Sequence, residues 1–354
     1  MSDASSLWEE TAREVRAGNA AALATVSRHR GSLPMATDAK MLVTASGRRT
    51  GTVGGGCVEA DVIQQAMESL ASGVPGFARH TLNADIAGDL GLSCGGTVEF
   101  FIEPVPLCIE MELLCTKVAS GVANREFVSV FTSLDWSGGP AKMATVGAEV
   151  YRVGEAFPVP DVARGTPAAD GRASAFLAEE HSCFVENIKR RPRLIIFGAG
   201  HVGKEIARLA SRVGFYVVVI DDREEFANER RLPEANEVIA GDFMTTLSGL
   251  LFDGDDYVLA TTRGHSFDAN IIQAVAGTPA GYVGMLGSRR KKAVLWKALA
   301  ASGVPEDALN RVHCPIGLDI GADNPDEIAV SVVAELIHFR RHRDTANEGL
   351  QFDQ

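Results

Sequence analysis

The stretch RLIIFGAGHVGKEIARLA, from Arg193 to Ala210, joins an apolar strand, a glycine-rich turn and the start of a helix. Gly198, Gly200 and Gly203 stand in GxGxxG spacing within it. That spacing alone is common. Here it follows a strand, opens a helix, and precedes by about twenty residues a second strand, YVVVID, that ends on Asp221. This context dictates a strand–turn–helix–strand unit of the dinucleotide-binding type. Gly198 permits the tight turn, Gly200 lets the backbone approach a phosphate at the helix N-terminus, and Gly203 lets helix and strand pack closely. Asp221 is expected to accept from ribose hydroxyls, its charge disfavouring a 2′-phosphate. Arg223, two residues on, joins it in the candidate cofactor-binding set. His201, inside the turn, reads equally as a donor to a ligand or as an exposed loop histidine.

The rest of the second half alternates in the same way. EVIAG, DDYVLAT and GYVGMLG read as further strands, with helices between them. Short continuous apolar strands separated by helices imply a parallel sheet covered on both faces, doubly wound. Such sheets bind ligands at the carboxyl ends of their strands. Two further loops at that edge carry polar groups. TTRGHSFD offers Thr262, Arg263 and His265, and GMLGSRRKK offers Ser288, Arg289 and Arg290. The two arginines suit a phosphate bidentately, or else begin a solvated helix. His265 and Asp268 are too sparse for a metal site. NPDEIAVSVVAELIHFRRH closes the half as a helix, with Asn324 as N-cap and Pro325 in the first helical position.

The first half reads as a mixed α/β domain. A helix from Leu7 to Arg16 precedes the strands AALATVSRHR, AKMLVTAS and RTGTVGG, the last two joined as a hairpin. A helix from about Val58 to Leu70 follows. FARHTLN, GTVEFFIEPV, FVSVFTSL, KMATVG and CFVENI read as strands, and CIEMELLCTKVAS as a helix whose Cys108 and Cys115 are ordinary buried cysteines. The stretch from Gly154 to Arg172 reads as loop. KRRPR is a basic, proline-punctuated linker, so the domains are placed at residues 1–190 and 191–354.

The bulk composition excludes several function classes. A formal net charge of -12 argues against duplex nucleic acid, whose affinity comes mainly from Lys and Arg. The acidic N-terminus lacks the basic start and apolar run of a signal peptide, and no apolar run is long enough to span a membrane. The 6 cysteines are scattered, without zinc or disulfide-framework spacing. The expected setting is a reducing cytoplasm.

Two glycine-rich loops carry cysteines: TGTVGGGCVEADV, with Cys57, and GLSCGG, with Cys94. Together with IIFGAGHVGKEIARLASRVGFYVVVIDDREEFAN, TTRGHSFD, GMLGSRRK and CPIGLDIGADNPDEIAVSVVAELI, they resemble the XdhC/CoxI family in motif and order. The resemblance runs from about Trp8 to about Ile337 and is weakest between Cys108 and His181. These are accessory proteins of molybdenum hydroxylases such as xanthine dehydrogenase. The resemblance implies a chaperone that holds the molybdenum cofactor, protects it, favours its sulfurated form and hands it to the apo-hydroxylase.

On that basis Gly54, Gly55 and Gly56 would turn backbone N–H groups toward an anion. Cys57 would stand at a helix start, where the positive helix end favours a thiolate able to ligate molybdenum or handle sulfur. Cys94 is its expected partner, and Glu59 in the same helical turn would orient a donor. The bland reading is that both loops are tight turns with inert thiols. The Rossmann half is assigned to the pterin phosphate or to a dinucleotide form of the cofactor, with NAD(P) as the other occupant. A cysteine desulfurase is the expected sulfur-supplying partner and a homodimer the expected assembly. Two other classes remain open: an NAD(P)-dependent oxidoreductase, carried by the fingerprint alone, and a nucleotide-sensing interaction module.

Overall fold

A computed structural model describes the chain except residues 1–3, 32–34, 36–37, 83–95, 161–174 and 349–354. It divides into two compact units, Met1–Arg190 and Arg191–Gln354.

The first unit runs α1 (Ala4–Arg16), β1 (Ala21–Gly31), β2 (Lys40–Thr44), β3 (Arg49–Thr52), α2 (Cys57–Ser72), β4 (Gly76–Leu82) and β5 (Gly96–Pro104). It continues with α3 (Ile109–Ala123), β6 (Val128–Ser133), β7 (Lys142–Val146), β8 (Glu149–Val153), β9 (Ala175–Ala178) and β10 (Cys183–Ile188). The strands form two antiparallel five-stranded sheets, ordered β3-β2-β1-β5-β4 and β8-β7-β6-β10-β9.

Alternation along β1 explains the layering, because successive side chains point to opposite faces. Ala21 and Leu23 join a core with Leu7, Trp8, Ala12 and Val15 of α1 and with Leu114, Cys115 and Val118 of α3. Ala22, Ala24 and Val26 join a second core with Val58, Val62 and Ala66 of α2. Helices thus cover the first sheet on both faces. α2 is thereby seated with its first turn just beyond the β2–β3 hairpin.

β8 and β9 lie outside the strands read from sequence. β8 is largely exposed and shows no clean alternation, and β9 is four residues long.

The second unit runs β11 (Arg193–Phe197), α4 (His201–Arg212), β12 (Tyr216–Asp221), β13 (Glu237–Ala240), α5 (Phe243–Ser248), β14 (Asp256–Ala260) and α6 (His265–Val275). It closes with β15 (Tyr282–Met285), α7 (Arg289–Ala301), α8 (Glu306–Asn310), β16 (Val312–His313) and α9 (Pro325–Glu348). The sheet order is β13-β12-β11-β14-β15-β16 and every pairing is parallel. Two cores flank it. Ile195, Phe197, Val258 and Ala260 face α5, α6 and α7, whereas Leu194, Ile196, Tyr257 and Leu259 face α4 and α9. This is the doubly wound Rossmann arrangement, and its order reverses between β11 and β14, where such sheets open a ligand crevice.

At the amino edge, Arg193 grips Asp256 bidentately at 2.8 and 2.7 Å, locking β11 to β14. Asn324 caps α9 as its sequence implies, its Oδ1 accepting from Glu327 N at 3.0 Å. Among the described residues no helix is long and apolar enough to cross a membrane.

Candidate functional site

The glycine turn after β11 is held from both sides. Gly198 adopts φ 114°, and its N–H donates to Ile220 O of β12 at 2.8 Å. A Cβ there would stand 2.5 Å from Thr261 O, at the end of β14. A Cβ on Gly203 would stand 1.9 Å from Gly198 O, so α4 lies hard against the turn. Gly200 differs: nothing lies within 4 Å of its Cβ position, and it is the N-cap of α4 with no side chain bonding the first turn. Backbone N–H groups at such a helix start suit an anion. His201 is exposed in the first turn of α4.

Asp221 is 1% exposed and faces this turn. Its Oδ2 accepts from Ala199 N at 2.7 Å and Arg223 Nη2 at 3.0 Å. Its Oδ1 accepts from Arg223 N at 3.1 Å and Arg223 Nε at 2.8 Å. A carboxylate offers about four acceptor positions, and donors of the turn itself take them. Burial acts to raise the Asp221 pKa, but the Arg223 and Ala199 hydrogen bonds outweigh it and hold the carboxyl below its ordinary range. The residue read as a ribose acceptor is therefore the pin of the glycine turn. Asp222, with a side chain 26% exposed, carries the more accessible carboxylate.

Asp221→Ala is expected to lower the stability of the second unit by about 2–3 kcal/mol at neutral pH. A depressed pKa contributes stability above the unfolded value, here the ordinary 3.8, and loses it as pH falls through the folded one. The gap between wild type and variant in denaturant titrations should therefore shrink below about pH 4. A gap that stays constant down to acid pH would contradict the pin.

The loops after β14 and β15 are tied together by groups sequence reasoning did not link. Thr262 donates its hydroxyl to Asp268 Oδ1 at 2.6 Å, and its backbone N–H reaches the same oxygen at 3.2 Å. Asp268 is fully buried, and Lys291 Nζ bonds its Oδ2 at 2.5 Å and Leu286 O at 3.2 Å. Arg263 Nη2 meets Asp222 Oδ2 at 2.9 Å. Ser288 caps α7, accepting from Lys291 N at 3.1 Å, and Arg289 and Arg290 are exposed in its first turn. His265 opens α6, and its side chain lies outside the described residues.

In the first unit, β3 leads through Gly54, Gly55 and Gly56 into α2, whose first residue is Cys57. Gly54 at φ 123° and Gly56 at φ 63° use backbone that other residues rarely adopt. No side chain caps α2. Thr52 Oγ1 lies 2.6 Å from Gly54 O and 2.9 Å from Glu59 Oε2, while Arg49 Nη1 lies 3.3 Å from Glu59 Oε1. Glu59 thus latches the helix start to β3.

Cys57 is exposed, whereas Cys115, Cys183 and Cys314 are buried and Cys108 is half-buried. Burial pushes the Cys115 and Cys183 thiols up to about 12, keeping them protonated and inert. Among the described residues Cys57 is the one exposed thiol. Cys94 lies outside them. No cluster of three or more His, Cys, Asp or Glu suited to a metal occurs among them.

The chain compares along nearly its whole length with known proteins. A family model described as the XdhC Rossmann domain matches residues 194–336, and one described as the XdhC and CoxI family matches residues 14–82. A Bacillus subtilis protein named as a probable xanthine dehydrogenase component is 29% identical over 324 residues, covering 91% of this chain and 93% of that one. The Escherichia coli protein named molybdenum cofactor insertion chaperone PaoD is 23% identical over 328 residues, covering 92% of this chain and 86% of that one. A solved structure from Bacillus halodurans, described as a xanthine dehydrogenase, matches with a TM-score of 0.73 at 27% identity, covering 95% of this chain and 96% of that one. Both family models fall on the motif-bearing regions, the glycine–cysteine loop and the Rossmann unit, and the chain belongs to the XdhC and CoxI family.

Proposed function

We propose that this protein is an accessory protein of molybdenum enzyme maturation that binds the molybdenum cofactor as cargo. In this reading it shields the cofactor, favours its sulfurated form and delivers it to an apo-hydroxylase of the xanthine dehydrogenase type. The observation that carries the reading is Cys57: an exposed thiol on an uncapped helix start, behind glycines 54–56, in a chain of this family.

The cargo brings a phosphate and a sulfur-bound metal. The residues suit both ends. Bare backbone at Gly54–Gly56 gives an anion access to N–H groups, and the Cys57 sulfur is a soft ligand. In the second unit the uncapped start of α4, open at Gly200, suits a phosphate of the pterin or of a dinucleotide form. The family relationship supports a molybdenum hydroxylase as client, and the relative named as an insertion chaperone supports the cofactor as cargo. A cysteine desulfurase as sulfur source, Cys94 as the partner of Cys57, and a two-fold dimer complete the proposal.

The test is anaerobic gel filtration with cofactor released from a hydroxylase, reading molybdenum and pterin fluorescence in the protein peak. Wild type should retain near-stoichiometric molybdenum. Cys57→Ala should lose it while keeping its circular dichroism, since no packing depends on an exposed thiol. Equal retention and delivery by the variant would sink the role of Cys57. NAD binding in place of molybdenum would favour the nucleotide-sensing module.

A further inference from the structure

Asp222 directly follows β12, Arg263 lies in the loop after β14, and β11 runs between these two strands. Neighbouring strands stand about 4.8 Å apart, which puts β12 and β14 about 10 Å apart. The 2.9 Å contact between Arg263 and Asp222 therefore passes over the carboxyl end of β11, where the chain continues into Gly198–Gly200. It is a strap across the mouth of the glycine turn.

Two acid–arginine pairs stand side by side here, and they differ in kind. Asp221 is buried and fixed by four hydrogen bonds. The Arg263 and Asp222 side chains are 49% and 26% exposed and share a single contact, and the other Asp222 oxygen lies 3.8 Å from Arg223 Nε. An exposed single-contact ion pair is weak and easily exchanged. A phosphate offers a guanidinium a stronger, bidentate partner than a lone carboxylate oxygen does.

We propose that Arg263 is the residue that closes on the phosphate of the bound cargo, with Asp222 as its resting partner. Ligand entry exchanges the Arg263–Asp222 pair for an Arg263–phosphate pair and releases Asp222 to accept from sugar hydroxyls beside that phosphate. The inference rests on the reading that this turn receives a phosphate. The phosphate is common to the pterin and nucleotide forms of the cargo, whereas the hydroxyl pair belongs to the nucleotide form. Asp222 thus holds a site that Asp221, engaged in the turn, leaves open. It also competes for Arg263 until a better anion arrives, lowering apparent affinity for weak anions.

The full chain is titrated calorimetrically with inorganic pyrophosphate and with AMP, as wild type, Asp222→Ala, Arg263→Ala and the double variant. Asp222→Ala should tighten pyrophosphate binding by about three- to five-fold by freeing Arg263. Arg263→Ala should weaken it by about ten-fold or more. In the Arg263→Ala background the Asp222 substitution should change nothing, because the remaining guanidinium, Arg223, stays held by Asp221. Arg263→Lys, which keeps charge without the planar fork, should recover only part of the loss. For AMP the gain in Asp222→Ala should be smaller, because the hydroxyl acceptor is lost with the competitor.

Tightening by Asp222→Ala in the Arg263→Ala background would show a general charge effect and overturn the exchange. An equal gain for AMP would overturn the hydroxyl role. Binding that ignores all of these variants would overturn the inference while leaving the phosphate site standing. If neither probe nor released molybdenum cofactor binds any form, the phosphate reading fails and the inference with it.

Discussion

Lys142→Met is expected to lower the unfolding free energy of the first unit by about 3–5 kcal/mol. Lys142 is 1% exposed on β7, and its Nζ lies 2.5 and 2.6 Å from the two oxygens of Glu103 on β5. Thr132 on β6 closes the triangle, accepting from Lys142 at 2.7 Å and donating to Glu103 at 3.2 Å. β5 belongs to the first sheet, β6 and β7 to the second, so this ion pair fastens one sheet to the other. Met fills similar volume but leaves the Glu103 carboxylate buried without its cation, and that uncompensated charge is the source of the loss. Glu103→Gln should cost less, since the amide still accepts from Lys142. The double variant Lys142→Met with Glu103→Leu should recover much of the stability, because an apolar pair needs no compensation. Denaturant titrations that follow the first unit's own transition would test it, since two units make a single two-state fit unsafe. A Lys142→Met loss below about 1 kcal/mol would mean that water reaches the pair.

The same buried pair shows where reading from sequence stops. Lys142 is the first residue of the fully buried strand KMATV, and its partner lies 39 positions away on a different sheet. Strand pairings such as β1 with β5 and β6 with β10 are equally non-local, and a single strand's pattern carries no partner. The Rossmann unit is more legible. Its inner strands β11, β12, β14 and β15 are buried on both faces and so announce themselves as continuous apolar runs, and the half-exposed edge strand β13 still reads from its short EVIA. β16 is the exception, since two residues, Val312 and His313, are too short to carry a pattern.

Site residues divide along the same line. The positions of Gly198, Gly200, Gly203 and Asp221 follow from spacing, because the turn is local. What each side chain touches does not. Asp221 turns inward to Ala199 and Arg223, Asp222 carries the exposed carboxylate, and Thr262 is held by Asp268. Glu59 finds Thr52 and Arg49 because the hairpin delivers β3 beside the start of α2. In each case the chemistry expected of a residue type is redirected by a neighbour that only the folded chain supplies.

Gly203→Ala is expected to destabilise the second unit by about 3 kcal/mol or more, while Gly200→Ala leaves its stability within about 1 kcal/mol of wild type. The two substitutions add the same methyl group three residues apart. At Gly203 that methyl would lie 1.9 Å from Gly198 O and 3.1 Å from the Thr261 hydroxyl. The obstacle is backbone, already fixed by Gly198 N donating to Ile220 O, so α4 must lift off the turn. At Gly200 φ is −64°, and no atom lies within 4 Å of the new Cβ. Alanine also restricts the unfolded chain, which offsets any small strain there. The functional effects should run differently. The space beside Gly200 is where a phosphate would approach the start of α4, so Gly200→Ala should weaken phosphate binding in a protein that melts normally. Gly203→Ala should lose binding only in proportion to the unit's unfolding. Thermal melts and pyrophosphate titrations on the two variants separate these outcomes. If Gly200→Ala binds like wild type, its open space is ordinary solvent and the ligand lies elsewhere. If Gly203→Ala melts like wild type, α4 is free to shift, and the fixed turn invoked for the strap and for the Asp221 pin is not rigid after all.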